Sequence, residues 1–226
     1  MKKILIAFAL LMICSVANAT TLKLSVSKEA VVNLNKIGYK ILNSNRIPYN
    51  MNFVLLDKDN IGIHTNARIN EIKITDEFLK YLESDDEIAA VLAHEISHGV
   101  DNRTGILRGA FSSWGYFLSP KKYDYKADKR SVDYLVKAGY NPLATIIVLN
   151  KMVPQTRFDW HLAHPTTSRR MAEIYEYIYN KYPQYLVQNE YKDNYVYQNF
   201  LLTSKENRAK LEEKIKNNSR RKVNYL

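Results

Sequence analysis

His94-Glu95-Ile96-Ser97-His98 sets two histidines four residues apart with an acid beside the first, and a chain carrying that spacing inside a helix is tied to a particular arrangement. At 3.6 residues per turn both imidazoles leave one face and converge, and Glu95 points to the same side. The segment reads as a helix. Ser84-Asp85-Asp86-Glu87 has capping-box spacing, and Ile88, Val91, Leu92 and Ile96 follow at helical intervals, so the helix is predicted to begin at about Asp85. Two converging imidazoles suit a zinc ion that lowers the pKa of a bound water to about 7, with Glu95 placed to take that water's proton as it attacks a carbonyl. The plain alternative is a pair of ordinary helix-face histidines beside an incidental acid; with only five histidines in the chain, two of them here, the metal reading is preferred.

A catalytic zinc takes three protein ligands and keeps one position open, so His94 and His98 need a partner from elsewhere. Asp124-Tyr125-Lys126-Ala127-Asp128 offers two carboxylates one turn apart on a second predicted helix. One would ligate the metal while the other fixes a ligand histidine through its second ring nitrogen. Spacing alone supports equally well a solvated acidic edge among Lys121, Lys122, Lys126, Lys129 and Arg130.

Composition bounds the rest. With 226 residues, 46% hydrophobic and 12% aromatic, the chain is sized for one packed domain with at most an appendage, and its seven Gly and six Pro exclude collagenous or low-complexity classes. Lys2 and Lys3, the apolar run Ile4 to Val16 and the small-residue site Ala17-Asn18-Ala19 follow the pattern of a secretory leader cleaved after Ala19. The apolar run is short of the roughly 20 residues a spanning helix needs. Cys14, the single cysteine, lies in that leader, so the mature chain from Thr20 would have neither a disulfide nor a thiol nucleophile. A periplasmic location is expected. The net charge of +10 is uneven: eight basic and three acidic residues fall between Lys205 and Lys222. For an exported chain this points to anionic lipid or envelope polymer rather than nucleic acid.

Along the chain, Val31, Leu34, Ile37 and Ile41 mark an amphipathic helix over Ser27 to Leu42. Asn52 to Leu56, Ile61 to His64 and Ile72-Lys73-Ile74-Thr75 read as short strands of a small sheet. Gly105 to Pro120 reads as a packed aromatic connection. Helices are predicted over Tyr123 to Ala138, from Asn141-Pro142 to about Met152, over Ser168 to Tyr182, and after the cap at Thr203-Ser204-Lys205-Glu206, with Pro154 to Pro165 a loop. The tail, with nine tyrosines from Tyr175 onward, has packing on the core as its commonest reading.

Val91-Leu92-Ala93-His94-Glu95-Ile96-Ser97-His98, then Ala127-Asp128, Ala138-Gly139-Tyr140-Asn141-Pro142, and His164-Pro165 with Arg170 six residues after that histidine, resemble the HtpX and CAAX-prenyl-protease family of zinc metallopeptidases. The resemblance runs from about Asn66 to Met171 and is closest to the soluble, exported BepA-like branch. It implies His94 and His98 as zinc ligands and Glu95 as general base. The family's third ligand is a Glu, and Asp124 stands in its place, one methylene shorter. The resemblance also makes Asp128 the acid that supports a ligand, His164 a histidine gating the metal from a loop, and Arg170 an arginine facing the substrate or the developing oxyanion. Residue character alone favours a loop-packing histidine and an ion-paired arginine for the last two. His161 and Arg169 are nearby alternatives, and His64 reads as an ordinary strand residue.

These observations predict a mainly helical α+β, zincin-like fold with the active-site helix beside a small sheet. The expected layout is a leader over 1–19, a metallopeptidase domain over 20–182 and a Tyr-rich, then basic, helical extension over 183–226. A peptide substrate is expected to add a strand to Ile72, Lys73, Ile74 and Thr75, taken as an exposed sheet edge. The implied function is zinc-dependent endoproteolysis of misfolded or unassembled envelope proteins, with outer-membrane assembly components as possible partners. The alternative is a weakly active or inactive metal-binding, chaperone-like module of the envelope.

Overall fold

In a computed structural model, the described residues are 28–48, 50–57, 62–66, 70–101, 120–153 and 166–226. The leader, the connection following Gly105 and the Pro154 to Pro165 loop with His161 and His164 lie outside them. Helix α1 covers residues 28–44. It is followed by β1 (Asn52–Leu56), β2 (Ile63–Asn66), β3 (Glu71–Thr75) and the short α2 (Asp76–Leu79). The remainder is helical: α3 (Asp85–Asp101), α4 (Pro120–Ala138), α5 (Ala144–Met152), α6 (Thr167–Lys181), α7 (Gln184–Val187), α8 (Tyr195–Thr203) and α9 (Lys205–Lys216). The α+β architecture expected from the sequence is the one observed.

The three strands form one sheet in the order β1-β3-β2, with β1 parallel and β2 antiparallel to β3. Here the edge-strand expectation fails. Ile72, Lys73, Ile74 and Thr75 belong to the central strand, whose two sides are taken by Phe53 to Leu56 and by Ile63 to Thr65. The alternation Glu-Ile-Lys-Ile-Thr correctly reports that Ile72 and Ile74 face the core, where both are fully buried. It does not report whether the backbone on each side is already paired.

Among the described residues, two hydrophobic cores organise the fold. The first joins Leu34, Ile37 and Ile41 of α1 to Phe53, Ile72 and Ile74 of the sheet and to Leu92 and Ile96 of α3. Gly38 permits this packing, because a Cβ there would lie 2.3 Å from the Phe53 ring. The second joins Val132 of α4, Ile146 and Ile147 of α5, Met171, Ile174 and Ile178 of α6, and Val196 and Phe200 of α8. Helix α5 belongs to both, through Ala144 on one side and Ile146 on the other. Each large apolar side chain so buried contributes about 1.5–3 kcal/mol.

Local signals set the ends of the helices that carry the site. The Ser84 hydroxyl accepts from the Glu87 N–H at 3.2 Å, and the Glu87 carboxylate accepts from the Glu83 N–H at 3.0 Å, so the first turn of α3 is capped from both directions. Lys151 at the end of α5 reaches the buried Glu87 at 2.9 Å. Helix α4 stops at Gly139, whose φ of +71° is the left-handed conformation of a Schellman ending, with Tyr140 N–H donating to Leu135 and Gly139 N–H to Val136.

Residues 183–226 pack on the rest. Phe200 is fully buried in the second core, and Tyr225 is buried with its hydroxyl donating to Glu176 at 2.7 Å. Several basic groups of the tail are also engaged, Lys214 by Glu176 at 2.5 Å and Lys222 by Glu173 at 2.9 Å. Helix α8 falls within the helical extension expected over 183–226, although its bounds were not set by the sequence. Among the described residues, no helix is long and apolar enough to cross a membrane.

Candidate metal centre

Helix α3 presents His94 and His98 on one face as the spacing requires, with ring centroids 4.7 Å apart and Nε2 atoms 3.1 Å apart. Helix α4 runs alongside and brings Asp124 to them. Its Oδ1 lies 3.5 Å from His98 Nε2 and 4.0 Å from His94 Nε2. Ion pairs fix this approach: Asp101 at the end of α3 receives Lys126 at 2.7 Å and Arg130 at 2.8 Å, and Arg130 also donates to the Ser97 carbonyl at 3.2 Å. The helices are thus held close enough for an aspartate to reach the histidines.

Asp128 lies one turn further along α4 and turns to the other nitrogen of the same ring, His94 Nδ1, at 3.0 Å. That hydrogen bond assigns the Nδ1–H tautomer and leaves the Nε2 lone pair facing Asp124 and His98. Arg170, from the first turn of α6, donates to Asp128 through Nε at 2.8 Å and Nη2 at 2.7 Å. Asp128 and Arg170 are both buried. Burial pushes the Asp128 carboxyl up, but the charge of Arg170, its two hydrogen bonds and the contact with His94 overcome this and hold it far below the usual carboxylate range. Burial likewise opposes the charge on Arg170, and Asp128 more than restores it.

The Nε and Nη2 of Arg170 are engaged by Asp128, the ion pair that residue character suggests for a helix-start arginine, and Arg170 also lines the cleft beside the histidines. Arg169, the alternative, donates instead to the Tyr225 carbonyl at 2.9 Å. His64 is exposed on β2 at the mouth of the cleft. The gating expectation for His164 concerns a residue outside those described.

Glu95 faces the same cleft as the histidines. Its Oε2 accepts a hydrogen bond from the Thr65 hydroxyl of β2, a contact with no counterpart in the sequence reading. Thr65 lies 30 positions from Glu95, and nothing in its local sequence distinguishes it from any strand threonine. For His98, burial alone lowers the imidazole pKa, but the Asp124 hydrogen bond and the negative charges of Glu95, Asp124 and Asp128 raise it above 6.5.

The donor set fits zinc. His94, His98 and Asp124 each offer one ligand atom, all within 4.8 Å of one another. Tetrahedral coordination with bonds of about 2.0–2.1 Å separates ligands by roughly 3.3 Å, close to the 3.1, 3.5 and 4.0 Å found here. Two neutral imidazoles and one carboxylate are also a chemically suitable set, with the face toward the cleft left for a further ligand.

The site opens into a cleft of about 780 Å³. Its lining combines Glu95, the histidines and Asp124 with apolar side chains of α2, α3 and α5. Compared with the curated proteins, the chain has no significant match. Residues 32–119 match the model of Peptidase family M48, a stretch that takes in most of α1, the sheet and the whole of α3 with His94, Glu95 and His98, and ends before Asp124.

Proposed function

We propose that this chain is a zinc-dependent metalloendopeptidase of the M48 type that hydrolyses extended polypeptide. One observation carries the reading: the His94, His98 and Asp124 ligand atoms converge within 4.8 Å while Glu95 faces the cleft beside them. Bound there, zinc would polarise a peptide carbonyl, lower the pKa of water and stabilise the negative charge that develops on the carbonyl oxygen. Glu95 takes a proton from the attacking water and delivers it to the departing amine. The Thr65 hydroxyl donates to one oxygen of the Glu95 carboxylate and so restrains its position in the cleft lining. Asp128 orients His94, and Arg170 neutralises Asp128 so that the acid stays ionised in a buried position.

Substrate recognition falls to β2 in place of β3. Among the described residues β2 is an edge strand, it contributes Ile63, His64 and Thr65 to the cleft, and it holds Glu95. A polypeptide added along it would lie across the metal-facing residues and be bound through its main chain, giving broad acceptance of unfolded chains. The leader pattern of residues 1–19 supports a periplasmic site of action. Misfolded or unassembled envelope proteins are then the proposed substrates, with components of outer-membrane assembly as proposed partners and the likeness to the BepA-like branch as the support.

The test is degradation of an unfolded polypeptide by the zinc-loaded protein with Glu95→Gln alongside. Cleavage by the parent alone is expected. Equal cleavage by the two, in preparations free of other proteases, would remove Glu95 from the mechanism.

A further inference from the structure

Part of the cleft lining is apolar and is not used by the mechanism above. Phe78 of α2, Ala90 and Val91 of α3, and Val148, Leu149 and Met152 of α5 form it. Ala90 and Val91 precede His94 by four and three residues, so they lie one turn, about 5.4 Å, along the same helix face. A side chain next to a peptide bond held over Glu95 spans that distance. Charged or small polar side chains placed there would lose water and gain no partner.

Thr145 adds a polar point to this wall. It lines the cleft, it is 4% exposed, and its buried hydroxyl has no hydrogen-bond partner among the described residues. Buried polar atoms are nearly always paired, and one left unpaired beside a cavity is a place for a ligand atom.

Resting on the peptidase reading and deepening it, we propose that this apolar lining forms a side-chain pocket that selects a large aromatic residue beside the scissile bond, with tyrosine ahead of phenylalanine. Three elements contribute apolar walls to receive the ring, and edge or offset contact with Phe78 suits an aromatic partner. The phenol of a tyrosine would reach the Thr145 hydroxyl, which phenylalanine leaves unpaired. The enzyme would then combine main-chain recognition along β2 with one selective side chain.

The test uses zinc-loaded Glu95→Gln, which binds without turnover, and fluorescent hexapeptides that differ at one position. By anisotropy, the phenylalanine peptide is expected to bind about tenfold or more tighter than the alanine peptide. Tyrosine should gain about fivefold more. Thr145→Val in the same background should remove only the tyrosine advantage, and Val148→Trp should remove both. If Val148→Trp does not fold, the peptide series and Thr145→Val still decide. Equal binding of the alanine, phenylalanine and tyrosine peptides overturns the pocket, and equal binding of tyrosine and phenylalanine overturns the part given to Thr145. Mapping of the bonds cut by the parent protein in a peptide mixture separates this inference from the reading it rests on. Cleavage with no aromatic preference leaves a peptidase without this pocket, whereas selective binding with no cleavage leaves the pocket and removes the peptidase.

Discussion

The two halves of the metal centre are built on opposite principles. On α3 the chemistry is local: two histidines and a glutamate within five residues, their side chains partly exposed to the cleft and their positions fixed by one helix. On α4 and α6 it is assembled at long range. Asp124, Asp128 and Arg170 are buried, and Asp128 meets an arginine 42 positions away. The partly exposed half presents its side chains to the cleft. The buried half also borders the cleft, and it sets the tautomer of His94 and the charge balance of the site. Exposure to the cleft therefore does not mark which residues the site depends on.

Substitutions separate the two halves. The largest effect should come from Glu95→Gln, which removes the proton acceptor and should lower the cleavage rate by about 10²- to 10⁴-fold, with one zinc retained on metal analysis. Arg170→Leu should act on folding, since it strands the ionised Asp128 in a buried site. A loss of about 3–5 kcal/mol is expected in chemical denaturation, and a loss below 1 kcal/mol would show that the buried half is not held by this pair. Asp128→Asn keeps the shape but removes the charge, and should weaken zinc binding by about 10- to 100-fold.

The sign of the pH dependence follows from His98. In the metal-free protein its raised pKa means that the proton-bound ring stabilises the fold below pH 6.5, a contribution lost as pH rises through the raised value. Zinc must displace that proton, so zinc affinity should run the other way and fall by about tenfold per pH unit once His98 is protonated. A zinc titration at several pH values checks this; affinity that is flat from pH 8 to pH 5 would contradict it. The smallest effect is expected at Lys126, whose side chain is 52% exposed and shares Asp101 with Arg130. Lys126→Ala should cost less than about 0.5 kcal/mol in thermal denaturation.

The same division explains what the sequence made legible. Helix α3 was readable from its cap, its apolar period and its motif because all three are local, and its observed start at Asp85 is the predicted one. Strand β1 and the end of α4 at Gly139 were readable for the same reason. The order of the strands was not, because alternation tells which face is buried and is silent on lateral neighbours, so β3 read as an edge although it is the centre. The helical extension expected over 183–226 carried no bounds for α8; the usable signal was Asn194, whose side chain caps it by accepting from Val196 and Tyr197 N–H.

For the site, spacing proposed a ligand and a supporting acid on α4 without saying which was which; the resemblance named Asp124 and Asp128 in that order, and Asp124 lies among the His94 and His98 ring nitrogens while Asp128 meets His94 Nδ1. It also directed Arg170 toward the substrate; the arginine lines the cleft and is forked onto Asp128. A guanidinium's role depends on which carboxylate reaches it first, and that is a property of the packed helices. Thr65 had no local signal at all.

The central claim is that Asp124, across the helix interface, completes a zinc site begun by His94 and His98. Zinc affinity measured by competition with a chromogenic chelator tests it most directly, on the parent protein and on His94→Ala, His98→Ala and Asp124→Ala after each is shown to fold. One zinc per chain is expected, with each substitution weakening it by about a hundredfold or more, since loss of a supporting partner alone is worth about 10- to 100-fold. Parent-like affinity in Asp124→Ala would contradict the account.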